Sequence, residues 1–263
     1  MTINNKYNFL KSFLRLYFIN KKTFISSNLV GDYNLKKIFN NDPIKEFYLR
    51  DKDLILQSNI PDLKGGVNEG DQRALYYLLC NYKPNKILEI GTHIGSSTLS
   101  MALAAKKYGG TIDTVDIIDV NNTDDRNWEK YKSQNSPKKN LIDNKCDKFV
   151  NFITSNSDSF FRNTQKKYNF IFLDGSHRAD DVYKEISYAL KILEKNGIIL
   201  LHDYFPNGNI LWAATNKIIY GPYLALKRIQ KEGNTIKVFP LDNLPWETKF
   251  NTNKSSLALL SKL

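Results

Sequence analysis

Between Lys86 and Ile117 the chain passes through a short apolar segment, two glycines four positions apart, a run of small and apolar residues, a glycine pair and a second apolar segment. Lys86 to Ile90 reads as a strand, Gly91-Thr92-His93-Ile94-Gly95 as a sharp turn, and Ser96 or Ser97 as the start of a helix running through Leu99, Ala102, Leu103 and Ala105. Gly109-Gly110 ends that helix, and Thr111 to Ile117 makes a second strand. Two strands joined by one helix in so short a span pair in parallel through a right-handed crossover. A parallel sheet needs helices on both faces, so this unit commits the chain to an α/β fold.

The same rhythm continues downstream. Strands are predicted at Phe149–Ile153, Tyr168–Leu173 and Ile198–Leu201, with a helix from Asp180 to Leu193 whose Val182, Ile186, Ala189 and Leu190 share one side. Helices at Leu211–Tyr220 and Tyr223–Gln230 and strands at Thr235–Phe239 and Ser256–Leu260 finish the sheet, the short last connection favouring an antiparallel edge pair. Upstream, Asp71 is expected to cap a helix that buries Ala74, Leu75, Leu78 and Leu79 and stops at Pro84-Asn85. Residues 31 to 66 read as irregular, with a short helix at Asp42–Leu49 and an end at Lys64-Gly65-Gly66; Ile118 to Lys148 reads as an amphipathic helix plus a surface excursion at Asn135-Ser136-Pro137. No Pro/Gly/Ser-rich linker divides the chain, so the expected organisation is a helical and irregular extension over 1–66, a lid or dimer contact, followed by one domain over 67–263.

Composition narrows the class further. With 41% hydrophobic residues the chain can bury a core, and it contains no apolar run long enough to span a bilayer and no secretory-signal pattern. Two cysteines, Cys80 and Cys146, without a C-x-x-C, fit a cytoplasmic protein with free thiols. The net charge of +11 is spread over separated lysine pairs rather than an arginine-rich block, which argues against nucleic acid as a partner. Phe9, Leu10, Phe13, Leu14, Tyr17 and Phe18 recur at helical spacing near the N-terminus, a stripe that can cover the core, pair with a second subunit in a homo-oligomer, or lie on a membrane surface.

In open parallel sheets ligands bind beyond the C-terminal strand ends. Four motifs fall there. Glu89 and the turn Gly91-Thr92-His93-Ile94-Gly95, with Ser97 behind it, allow close backbone approach to a ligand, and lack the middle glycine of a dinucleotide fingerprint and the lysine of a P-loop. The negative Glu89 suits a cationic cofactor better than a diphosphate. Asp116, closing the second strand, can accept both hydroxyls of an adenosine ribose. Ser157 and Asp158, in the loop after the third strand, can receive an adenine amino group. Asp174 and His177 follow the fourth strand, and His202 and Asp203 the fifth. Two carboxylates can share Mg²⁺, which favours oxygen ligands, while an imidazole can accept and release a proton near neutral pH. All three histidines of the chain, His93, His177 and His202, thus fall in loops at one end of the sheet.

These motifs, Leu88–Thr98, Thr114-Val115-Asp116, Phe172–His177 and Gly197–Tyr204, resemble those of class I S-adenosylmethionine-dependent methyltransferases, in particular the sugar/macrolide and catechol-type O-methyltransferase group. The likeness spans roughly residues 68 to 205. It implies a Rossmann-like, mostly parallel seven-stranded sheet with an antiparallel last strand. It further implies S-adenosyl-L-methionine as cofactor, contacted by Glu89, Gly91, Thr92, His93, Gly95, Ser97, Asp116, Ser157, Asp158 and Asp174. His177, Asp174 and Asp203 are then the catalytic set, with Asp174 and Asp203 as Mg²⁺ ligands. Tyr204 departs from the metal-dependent pattern, which has an acidic or amide ligand at that place. The expected reaction is O-methylation of a small-molecule or sugar-containing acceptor; N-methylation and a noncatalytic S-adenosylmethionine-binding module are the alternatives.

Overall fold

Strands and helices alternate through the computed structural model, which describes residues 3–22, 24–57, 66–212, 217–233, 236–249 and 251–262. Helices α1 (Ile3–Tyr17), α2 (Leu35–Phe39), α3 (Asp42–Gln57) and α4 (Glu69–Tyr82) precede strand β1 (Lys86–Ile90). Then come α5 (Ser96–Lys106), β2 (Thr111–Asp116), α6 (Pro137–Asp143), β3 (Val150–Thr154), α7 (Ser157–Asn163), β4 (Tyr168–Leu173), α8 (Ala179–Ile192) and β5 (Leu193–Leu201). The chain closes with α9 (Gly221–Lys231), β6 (Ile236–Pro240) and β7 (Ala258–Lys262). The seven strands are ordered β3-β2-β1-β4-β5-β7-β6. The β1/β2, β2/β3 and β4/β5 pairings are parallel, and β7 runs antiparallel to both β5 and β6. This is the Rossmann-like sheet that the repeated strand–helix pattern requires.

Residues group into two compact units, Asn34–Ser157 with Leu244–Asn253, and Met1–Tyr33 with Asp158–Asn243 and Lys254–Leu263. In the first, α4 buries Ala74, Leu75, Leu78 and Leu79 as expected, together with Tyr76 and Tyr77. Its cap is Asn68 rather than Asp71. The Asn68 side chain accepts from Asp71 N at 3.0 Å and donates to Asp71 Oδ2 at 2.7 Å, so Asp71 is the inner member of a reciprocal pair and the helix starts earlier. Lys83 ends it in a left-handed conformation, with its N–H on Leu79 O, and Pro84 follows.

Two other expectations in this unit change. The helix predicted over Asp42–Leu49 continues to Gln57. In the 118–148 segment, the predicted excursion at Asn135-Ser136-Pro137 is the start of α6: Ser136 accepts from Lys139 N at 3.2 Å and Pro137 occupies the first turn, where a missing N–H costs nothing. A short 3₁₀ turn at Asn127–Tyr131 buries Trp128 instead of forming a longer amphipathic helix. Lys64 and Gly65 lie outside the described residues.

The second unit buries Phe170, Phe172, Ile199, Leu200, Leu259 and Leu260 on its strands and Val182, Ile186, Ala189 and Leu190 along one side of α8. The helix expected at Leu211–Tyr220 is not formed by its described residues, Leu211, Trp212 and 217–220; residues 213–216 lie outside them. Helix starts instead at Gly221, with Pro222 in its first turn. Thr235, the first residue of a predicted strand, also lies outside the described residues. Among the described residues no helix is long and apolar enough to cross a membrane.

Candidate active site

Beyond β1 the backbone takes left-handed conformations at Gly91 (φ 99°), His93 (φ 51°) and Gly95 (φ 77°). The turn is pinned by Gly91 N to Val115 O and Gly95 N to Thr92 O, both 2.8 Å. Gly95 caps α5, and a Cβ there would stand 2.7 Å from Pro137 Cβ, so strain and packing both demand glycine. The His93 ring meets Tyr131 edge-on at 4.2 Å.

Beneath the turn, Glu89 is fully buried and its carboxylate accepts three hydroxyls: Ser97 on Oε1, and Thr98 and Thr114 on Oε2, each at 2.6 Å. Thr114 stands opposite Glu89 in the β1/β2 register. Since the single Thr114 proton points to the carboxylate, the 2.6 Å contact between Thr92 Oγ1 and Thr114 Oγ1 is donated by Thr92. The four hydroxyls bind the strand end, the turn and the first turn of α5 into one frame. Ser97 and Glu89 are therefore buried together beneath the turn.

Asp116 is half-buried at the end of β2. Its Oδ2 accepts from His93 N at 2.8 Å and its Oδ1 from Ile118 N at 3.2 Å. Each oxygen keeps lone-pair capacity, so the carboxylate is oriented by backbone yet able to take two further donors.

In the other unit, β4 delivers Asp174 and His177, and β5 delivers His202 and Asp203. Ligand atoms of Asp174, His177 and Asp203 all lie within 4.8 Å of one another. His177, with its side chain 45% exposed, has Nδ1 3.5 Å from Asp203 Oδ2. His202 is buried with Nδ1 2.8 Å from Asp174 Oδ1 and 3.8 Å from Asp203 Oδ1. An ionised carboxylate only accepts, so His202 donates to Asp174 and fixes its orientation. Asp203 has φ 53°, a strained conformation for a non-glycine residue of the kind that functional positions tolerate. Ser176 Oγ donates to Asp181 Oδ2 at 2.9 Å and accepts from Arg178 N at 3.2 Å, tying the His177 loop to the start of α8.

Two carboxylates and an imidazole this close form an oxygen-weighted donor set that fits a divalent cation. Tyr204, the residue after Asp203, is buried, and that burial, reinforced by Tyr223 and Asp242, pushes its phenol up to about 12.

Asp158 sits in the first turn of α7 rather than in a loop, and its carboxylate takes Arg162 Nε at 2.7 Å in a surface ion pair; Ser157 begins the same helix. Sequence reasoning assigned no site role to Thr98, Thr114, Pro137 or Gly221. Thr114 carries a readable signal, since it lies two residues before Asp116 and so on the same strand face. Pro137 and Gly221 act through contacts distant in sequence, which leave no local pattern.

Residues 88–204 match the family described as methyltransferase domain. The Dictyostelium discoideum protein named Probable caffeoyl-CoA O-methyltransferase 3 is 25% identical over 197 residues, 73% of this chain and 71% of that protein. The SAH-bound methyltransferase PaMTH1 of Podospora anserina matches with a TM-score of 0.58 at 17% identity, over 86% of this chain and 97% of that one. The Bacillus cereus O-methyltransferase in complex with SAH matches at 0.55 and 15% identity, over 96% and 97%. The structural likenesses concern the fold alone, and the segment 88–204 is similar to the methyltransferase domain.

Proposed function

We propose that the chain transfers the methyl group of S-adenosyl-L-methionine to a hydroxyl of a small phenolic or sugar-containing acceptor. The observation that carries the hydroxyl assignment is the convergence of Asp174, His177 and Asp203, because O-methylation needs a group that takes a proton and a means of favouring the alkoxide. The name of the Dictyostelium relative, which refers to O-methylation, supports the same choice.

Bound S-adenosylmethionine supplies a methyl group activated by a sulfonium charge, and a divalent cation at the carboxylates supplies Lewis acidity toward the acceptor oxygen. On the cofactor side, the Gly91–Gly95 backbone receives the methionine portion and Asp116 accepts the two ribose hydroxyls. Glu89 places negative charge below the turn, which favours a cofactor bearing ammonium and sulfonium groups over a diphosphate. Asp174 and Asp203 hold the cation. With the His177 Nδ1 proton turned toward Asp203, Nε2 is the acceptor for the substrate hydroxyl proton. Transfer of this kind gains most from an acceptor oxygen presented in line with the methyl–sulfur bond.

The test is calorimetric binding of S-adenosylmethionine to protein cleared of SAH, followed by an acceptor screen of phenols and hydroxylated sugars with Mg²⁺ and then with chelator. Oxygen-methylated product that disappears with chelator and returns with Mg²⁺ is expected. Cofactor binding with methylation of amines alone would replace the hydroxyl assignment. Full activity after verified metal removal would remove the cation from the scheme. His177→Gln should lower turnover while leaving the Mg²⁺ requirement at the same concentration; a raised Mg²⁺ requirement would make His177 a third ligand instead of the base.

A further inference from the structure

Helix α1 carries apolar side chains on two faces, and only one is covered. Inward, Leu16 is buried and Phe9 meets Tyr220 edge-on at 5.3 Å. Arg228 of α9 donates to Leu16 O and, at 2.6 Å, to Ile19 O, a cation where the open carbonyls and dipole of a helix end favour one. Lys22 N donates to Tyr183 OH at 2.9 Å, and Tyr33 OH to Leu260 O at 2.7 Å, so the segment after the helix is also fastened to its unit.

Outward, Tyr7, Leu10, Leu14, Tyr17 and Phe18 follow one another at spacings that line them into one stripe. All five are exposed, Tyr17 by 73% and Phe18 by 81%. Residues 3–22 contain five cations, Lys6, Lys11, Arg15, Lys21 and Lys22, and no acidic residue. Lys227 and Lys231 of α9 join Phe13 and Tyr17 around a hollow at the rim of the stripe. Asp180 and Glu232 are already paired with Arg178 and Arg228.

We propose that α1 is an interfacial anchor that lies in the headgroup region of an anionic lipid bilayer, its aromatic and leucine stripe at the acyl boundary and its lysines at the phosphates. Both halves of the surface match that environment: tyrosine and phenylalanine suit the zone where apolar chain meets polar headgroup, and lysine stems reach from there to the phosphates. A two-fold contact between copies would set this cationic patch against itself, with no carboxylate in the segment to compensate, whereas anionic lipid brings the countercharge.

The experiment is co-sedimentation of the full chain with vesicles of phosphatidylcholine and of phosphatidylcholine mixed with an equal part of phosphatidylglycerol. Binding to the mixed vesicles, little to the neutral ones, and loss at high ionic strength are expected. The triple variant Leu10→Ser, Leu14→Ser, Phe18→Ser should weaken partitioning by at least about tenfold. The variant Lys6→Gln, Lys11→Gln, Lys21→Gln should weaken it by about a hundredfold. The substituted side chains are exposed, and an unchanged melting temperature checks that each variant folds. Equal binding to both vesicle types, or none to either, overturns the proposal. So does a dimer in sedimentation equilibrium that the serine variant splits while vesicle binding is absent, an outcome that would make the stripe a contact between copies.

Discussion

Gly221 lies so close to the backbone of His177 that a Cβ would stand 2.0 Å from the His177 carbonyl oxygen and 2.7 Å from its carbonyl carbon. The first residue of α9 is thus a buttress for the loop that presents the imidazole. Gly221→Ala must push that loop or the helix aside, at a cost of about 1–3 kcal/mol for overpacking. A displacement of about 1 Å at a reacting group can cost on the order of a hundredfold in rate. The expected result is a large fall in kcat with cofactor affinity unchanged, since the glycine turn and Asp116 belong to the other compact unit. An unchanged kcat in a stably folded variant would show that the position of His177 does not matter to turnover.

Asp116 is already held by two backbone N–H groups, so its carboxylate is preoriented for a diol. Asp116→Ala removes a charged acceptor worth about 1.5–3 kcal/mol per hydrogen bond, which predicts a rise of about ten- to a hundredfold or more in the S-adenosylmethionine Kd by calorimetry. Asp116→Asn keeps one carbonyl oxygen and should lose less. Equal affinity of wild type and the alanine variant would free Asp116 from the ribose role.

The parallel sheet, its strand ends and the clustering of Asp174, His177 and Asp203 were legible because apolar strands and the motifs at their ends are local patterns. What was not legible depends on geometry between distant segments. Asn68 outcompetes Asp71 as a cap because the helix begins one turn before the first apolar residue of its buried face. Asp158 has loop-like neighbours in sequence, yet it lies in the first turn of α7 and pairs with Arg162 four residues on. The choice of His177 over His202 as the base was legible, but the partners were not: His202 is buried on Asp174 and His177 is exposed beside Asp203. Such differences in burial arise from packing, which no short motif encodes.

Glu89→Gln tests the frame under the turn. The carboxylate accepts three hydroxyls, while a glutamine amide presents N–H groups to at least one of them, leaving a buried donor facing a donor. The expected loss is about 1–3 kcal/mol of stability, read as a melting temperature lower by several degrees, with weakened cofactor binding because the turn loses its underside. Unchanged melting and affinity would mean that the hydroxyl network reorients at no cost.

The two cysteines are free and buried. Burial pushes the Cys80 thiol from its ordinary 9.0 up to about 12, with Asp51 adding to the effect and Tyr76 and Lys107 opposing it. Burial likewise raises Tyr48 and Tyr204 from 10.0 to about 12. Each folded-state value exceeds the unfolded one, so the fold favours the neutral forms. Their contribution is therefore complete below the unfolded values, and is lost as pH rises through 9 to 12, when the unfolded chain ionises first and releases more protons. Melting temperature should be level with respect to these groups from neutral pH to about 8 and fall steeply across the alkaline window. At pH 8 a disulfide reagent should label Cys80 slowly in the native protein and rapidly after denaturation, because the thiolate is the reactive form and is scarce in the fold. Fast labelling of Cys80 without unfolding would show that the α4 interior opens readily, and would remove this thiol from the alkaline transition.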